Sequence, residues 1–207
     1  MSNKYSISFV IPVFNEAKYL TKMLESLNSQ EIKNFKVEIL LVDGNSSDDS
    51  LKIISNFIKN SLNQYIDYRI IENKERKTPY AFNLGIRKSK SSIIGFGGAH
   101  AIYPPKFFIN VLNLIENLKF DVVGGGIKNY LPDKNGILNK AISALYVSPI
   151  GAGVASYHRK KEKGFVDTVF GGFYKKEIFD VIGFFNTNLI RGQDYELNVR
   201  LRKAGYK

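Results

Sequence analysis

The stretch ISFVIPVFNEAKYLTKMLESL, residues 7–27, decides the fold class. Ile7 to Phe14 is apolar and rich in β-formers. Tyr19, Leu20, Met23, Leu24 and Leu27 then recur at the spacing of one buried helix face, so the stretch reads as a strand followed by a helix. The unit repeats along the chain. Strands are expected over Val37 to Val42, Tyr68 to Ile71, Ser92 to Gly97 and Asp121 to Gly126. Helices are expected over Leu51 to Ile58, over Pro79 to Ile86, and from Pro104-Pro105 through Phe107, Phe108, Val111, Leu112 and Ile115. Continuous apolar strands alternating with amphipathic helices predict an α/β fold, a mainly parallel sheet flanked by helices on both faces. Farther on, Val166 to Phe173 reads as a strand, Lys175 to Ile182 as a short helix, and Asp194 to Ala204 as a helix stopped by Gly205. Between them lie a turn at Pro132 to Gly136 and a Gly/Ser/Lys-rich stretch, Ser148 to Gly164, expected to move. A fold closed at Lys207 would leave the last helix at an edge, so the expectation is of a piece cut from a longer protein.

The 207 residues suit one domain, and 44% hydrophobic residues with six prolines exclude a disordered chain. Without cysteine there is no disulfide framework and no thiolate metal site. Apolar runs such as Ile39 to Val42 are far shorter than the roughly 18 residues of a membrane span, and Met1 to Ser6 lacks the regions of a signal peptide. A cytoplasmic chain is expected. The net charge of +11 leaves two kinds of partner open: nucleic acid, or anionic substrates and the anionic face of a membrane. The lysines are scattered, with one dense run from Arg159 to Lys163, and no aromatic interleaving or recognition helix supports a nucleic-acid partner.

Ligands of open α/β sheets bind beyond the carboxyl ends of the strands. Three loops there carry polar residues: Pro12-Val13-Phe14-Asn15-Glu16, Asp43 to Asp49, and Gly97-Gly98-Ala99-His100. Asp43 ends a buried run, where a carboxylate accepts hydrogen bonds either from a neighbouring loop or from a ligand. Ser46 with Asp49 matches a capping box, which assigns Asp48 and Asp49 to the following helix; Glu16 could likewise face the dipole of its own helix. No phosphate-binding P-loop occurs, and Gly124-Gly125-Gly126 lacks the GxGxxG spacing, which argues against a kinase or dehydrogenase. The two histidines, His100 and His158, have no nucleophile elbow to serve.

Phe9 to Glu16 followed by Ile39 to Asp49 resembles the opening of family 2 glycosyltransferases of the GT-A fold, and Lys77 to Gly85 resembles the helix after their third strand. His100 to Pro105, Val122 to Gly126, Val166 to Gly172 and Gln193 to Asn198 are similar to the succinoglycan glucosyltransferase (ExoA-like) branch. The resemblance implies inverting transfer of a sugar from a nucleotide diphosphosugar, typically a UDP-sugar, to a hydroxyl on a saccharide or lipid-linked acceptor. A nucleotide-binding half would span about residues 1–100 and an acceptor half about 101–207, with work at the inner face of a membrane.

By the same resemblance Asp43 corresponds to the carboxylate that reads the base, Val13 and Glu16 to the loop beside base and ribose, and Lys77 to a diphosphate contact. Asp194, beside Gln193, corresponds to the catalytic base, with Glu196 supporting its helix. One departure stands out. The family's Asp-x-Asp or Asp-x-His metal motif is replaced by Gly98-Ala99-His100, leaving His100 as the single expected ligand for manganese or magnesium. Three consequences stay open: a weak cation site through His100 and the diphosphate, lysines in place of the cation, or an impaired relative that binds a nucleotide sugar without transferring it.

Overall fold

In the computed structural model the described residues are 6–125, 164, 166, 169, 171–189 and 191–206. The expected turn at Pro132 to Gly136, the basic run Arg159 to Lys163, and His158 lie outside them. Strand β1 (Ile7–Val13) leads into α1 (Ala17–Asn28), β2 (Val37–Asp43) into α2 (Ser50–Asn60), and β3 (Ile66–Glu72) into α3 (Thr78–Lys88). After β4 (Ile93–Phe96) come α4 (Phe107–Leu112), a π-helical turn (Asn113–Asn117) and β5 (Val122–Val123). The chain returns with β6 (Phe173–Lys175), α5 (Ile178–Ile182) and α6 (Gln193–Lys203). The strand order is β3-β2-β1-β4-β6-β5, with β1 to β4 parallel and β6 antiparallel to both its neighbours. The mainly parallel sheet is therefore present.

Its faces follow the two-residue period of a strand. Odd positions of the central strands (Ile7, Phe9, Ile11, Val13, Ile39, Leu41) pack with Leu20, Met23, Leu24 and Leu27 of α1, Ile54 of α2 and Phe108 of α4. Even positions (Val10, Leu40, Val42, Ile94, Phe96) pack with Ala81 and Phe82 of α3, Ile178 of α5 and Leu197 and Leu201 of α6. Both faces are covered, which is why the strands are apolar throughout.

Two expectations need correction. The strand proposed over Val166 to Phe173 instead begins where that run ends: Val166, Val169, Gly171 and Gly172 are not extended ladder residues. Gly171 takes φ +57°, where an added Cβ would stand 2.9 Å from the carbonyl oxygen of Phe96, so the chain turns before it pairs. Tyr19 is 46% exposed and leaves the buried face of α1 to the four residues after it.

Candidate active site

The carboxyl ends of the strands are tied together by backbone bonds: Gly44 N–H donates to Val13 O, Asn73 N–H to Asp43 O, and Gly97 N–H to Val10 O. Side chains weld the first two loops. Ser46 Oγ accepts from Asn15 N–H, Asn15 Oδ1 accepts from Ser47 N–H, and Asp48 Oδ2 accepts from Ala17 N–H while its Oδ1 accepts from Ser50 N–H. Asp48 thus serves the first turns of both α1 and α2. The expected capping box is absent, because Asp49 makes no side-chain cap and Ser46 turns back to Asp43. Three non-glycine residues with positive φ, Asn15, Asn45 and Arg76, sit in these strand-end loops.

Above the strand ends lies a cleft of about 250 Å³. The structure brings Val13, Glu16, Lys77, Gly98, His100, Gln193 and Asp194 to its walls. Asp43 is not on the wall. It is 3% exposed, and both its oxygens take bonds from Ser46, the shorter a 2.6 Å hydroxyl contact to Oδ1. The loop-closing alternative for this carboxylate is the arrangement seen here.

Sequence reasoning missed Phe14, Asn73, Arg76 and Thr78, which also line the cleft. Asn73 is buried beyond β3; its amide donates to Lys77 O, while its Oδ1 has no partner among the described residues. Gln193 Oε1, on the same cleft, is likewise buried without a partner among the described residues. Buried polar atoms are rarely left so. The strand-end rule applied to the third strand would have found Asn73 and Arg76. Arg76 and Lys77 stand at the start of α3, whose free backbone N–H groups and positive dipole end reinforce two cations that have no acidic partner among the described residues.

Asp194 lies in the first turn of α6, and burial pushes its pKa up to about 6. The same negative charge helps to hold the buried Tyr174 hydroxyl protonated. Below it, Asn198 donates its amide to Asp194 O, fixing the turn that carries the carboxylate.

A divalent cation at the cleft floor needs hard ligands. Gly98 offers no side chain, and among the described residues no three His, Cys, Asp or Glu side chains converge. Glu16, however, makes no cap bond to its own helix; its Oε1 faces His100 Nδ1 at 3.5 Å. One carboxylate and one imidazole fit a cation that takes its remaining ligands from phosphate and water. The backbone beside them is fixed, since the Tyr103 hydroxyl donates to Gly98 O and accepts from Gly98 N–H.

A mainly parallel sheet thus carries beyond its strand ends a cleft lined by Arg76, Lys77 and the Asp194 carboxylate, and defines an α/β protein. Residues 8–183 match the model for glycosyl transferase family 2, and the chain belongs to that family. It is 35% identical over 207 residues to the dolichyl N-acetyl-alpha-D-glucosaminyl phosphate 3-beta-D-2,3-diacetamido-2,3-dideoxy-beta-D-glucuronosyltransferase of Methanococcus voltae, covering 97% of this chain and 63% of that protein. It is 25% identical to glycosyltransferase AglE of Haloferax volcanii, covering 97% of this chain and 62% of the relative. Among solved structures, the mannosyltransferase PcManGT of Pyrobaculum calidifontis, in complex with GDP-Man and Mn2+, superposes with TM-score 0.71 at 17% identity, covering 100% of this chain and 54% of that one. TarS of S. aureus in complex with UDP-GlcNAc gives TM-score 0.66 at 18% identity, over 94% of this chain and 52% of TarS. These two likenesses establish the GT-A fold. The chain spans less than two thirds of the length of these relatives. No helix among the described residues is long and apolar enough to cross a membrane.

Proposed function

We propose that the chain transfers a sugar, with inversion, from a UDP-sugar to a hydroxyl of a saccharide or lipid-linked acceptor in polysaccharide or glycolipid biosynthesis. The observation that carries this reading is Asp194, a carboxylate with its pKa raised to about 6, on the same cleft as the cations Arg76 and Lys77. Near neutral pH it is ionised yet basic enough to take a proton, which is what general-base catalysis asks of a side chain.

In the transfer, the Asp194 carboxylate removes the acceptor hydroxyl proton while that oxygen forms its bond to the anomeric carbon. The bond from that carbon to the diphosphate oxygen breaks on the opposite face, and its electron pair leaves with the diphosphate. Arg76, Lys77 and the α3 N-terminus stabilise the charge that grows there. A divalent cation held by His100 would share that charge. Val13, Glu16 and Gly98 line the base and ribose side, and Gln193 lines the sugar side. Asp43 meets the base N–H when the Gly44–Ser46 loop lifts, an event that the two Ser46 bonds oppose. The described walls enclose less than the roughly 300–1,000 Å³ of most small-molecule sites, so the donor extends through the mouth of the cleft. The nucleotide half is assigned to about residues 1–100 and the acceptor half to the remainder.

The +11 net charge supports peripheral contact with an anionic membrane, where a lipid-linked acceptor would lie. The motif spellings shared with the succinoglycan branch make UDP-glucose the first donor to try. Gly98 favours a second reading, a relative that binds the nucleotide sugar without turnover. One experiment separates them. UDP release is measured from a panel of UDP-sugars with saccharide and polyprenyl-phosphate acceptors, beside thermal shifts with UDP, GDP and ADP. Acceptor-stimulated release with the largest shift from UDP is expected; UDP binding without release supports the second reading, and equal shifts from all three nucleotides contradict the donor assignment.

A further inference from the structure

Position 98 is where the resemblance expects a carboxylate, and it holds glycine. The cleft nevertheless contains an oxygen donor beside His100. Glu16 comes from a loop 84 residues away in the chain, and it stands at the N-cap of α1, where a short polar side chain ordinarily bonds the free N–H groups of the first turn. It makes no such bond. Its backbone N–H is anchored on Ser50 Oγ instead, and its carboxylate is turned to His100 Nδ1 at 3.5 Å. Stability does not explain this arrangement. The imidazole is 67% exposed, and solvent-exposed ion pairs contribute little to stability.

The spacing is near that of two donors sharing one cation. Two donor atoms each about 2.1 Å from one cation stand about 3.0 Å apart at a right angle and about 3.4 Å at a tetrahedral angle. The observed 3.5 Å between Oε1 and Nδ1 exceeds the right-angle separation of an octahedral manganese or magnesium by about 0.5 Å. Both residues are held by other contacts: Glu16 through Ser50, and the His100 loop through the two Tyr103 bonds to Gly98 and the ring contact of His100 with Tyr19, centroids 6.2 Å apart. We infer that Glu16 supplies the oxygen ligand that position 98 lacks, so that Glu16 and His100 together seat a divalent cation whose other ligands are diphosphate oxygens and water. The inference rests on the cleft being the diphosphate site. It also replaces the expectation that His100 is the single protein ligand.

Manganese chloride is the probe, and the readout is binding. Calorimetry of UDP with and without manganese is run on the parent protein, Glu16→Gln, His100→Ala and the double variant Glu16→Gln/Gly98→Asp, with bound manganese followed by its electron paramagnetic resonance. Manganese should tighten UDP binding about tenfold or more in the parent, and UDP should tighten manganese binding by the same factor, since coupling is reciprocal. Glu16→Gln, which keeps shape but loses charge, and His100→Ala should each reduce the factor to about twofold or less. Gly98→Asp should restore it in the Glu16→Gln background, because a Cβ at 98 meets nothing nearer than His100 Cε1 at 3.9 Å. A parent whose UDP affinity ignores manganese, or a Glu16→Gln variant that keeps the full effect, overturns the inference and leaves the cleft assignment standing. Absence of UDP binding with and without metal overturns the cleft assignment, and the inference with it.

Discussion

Asp194 is held where its charge is costly. With a folded pKa of about 6 against an ordinary 3.8, the native state binds the extra proton between those values, so this group makes stability fall as pH rises from about 4 to about 6. Two outcomes follow at this residue. kcat/KM should rise with pH through an apparent pKa of about 6, and Asp194→Asn should lose about 10²–10⁴-fold in rate. The same variant should melt higher than the parent at pH 7, since it no longer buries a carboxylate; a lower melting temperature would show that the charge has a partner that stabilises it. Asp43→Asn weakens the charge-assisted bonds from Ser46, at a cost of about 1–3 kcal/mol measured by denaturant unfolding, and on the base-reading proposal it also narrows the difference between UDP and GDP. Asp194, Lys77, Glu16 and His100 were all legible as strand-end or motif residues. The meeting of Glu16 with His100 was not, because it depends on how two distant loops fold over each other. Asn73 and Arg76 carry no motif of their own; pairing of β3 with β2 and the bond from Asn73 N–H to Asp43 O bring them to the strand ends.

Helix α3 shows how closely an element must sit to deliver its cations. A Cβ on Gly85 would lie 2.4 and 2.5 Å from the two methyls of Val10 and 3.0 Å from its Cβ, so α3 rests on β1 through a bare backbone. Gly85→Ala should gain about 1 kcal/mol of helix propensity and lose more than that to overpacking, since Val10 is branched at Cβ and cannot rotate clear. Net destabilisation of about 1–2 kcal/mol in chemical denaturation is expected. A stabilised variant would mean that the sheet yields. At this scale the apolar pattern predicted β1 to β4 and α1 to α3 to within a few residues, because each helix buries one continuous face and β1, β2 and β4 are buried on both. It failed at β6, where apolar residues before Gly171 resemble a strand but the left-handed glycine sets the start of pairing. It also failed at Ser46 and Asp49, whose spacing is that of a capping box although Asp43 competes for the same hydroxyl.

Across the whole molecule the sheet separates stability from chemistry. At the end away from the cleft, Glu38 is fully buried opposite Ser8 in the β1–β2 register, and it accepts from Ser8 Oγ, Lys90 N–H and the Arg69 guanidinium. A carboxylate inside the run Val37 to Val42 gave no sequence signal beyond its oddity. Glu38→Ala leaves those donors facing apolar surroundings and should cost about 3 kcal/mol, the lower part of the range for a broken buried pair because Arg69 stays about a third exposed. UDP affinity, measured where the variant is still folded, should not change.

In the proposed transfer Asp194 is the base on a UDP-sugar held in this cleft. The most direct measurement of that role is acceptor-dependent UDP release by the parent and by Asp194→Asn from pH 5 to 8, with UDP binding followed in parallel. Release is expected to rise through pH 6 in the parent and to fall at least a hundredfold in the variant, with equal UDP affinity in both. Near-parent release by Asp194→Asn with the same pH profile would contradict the assignment of Asp194 as the base.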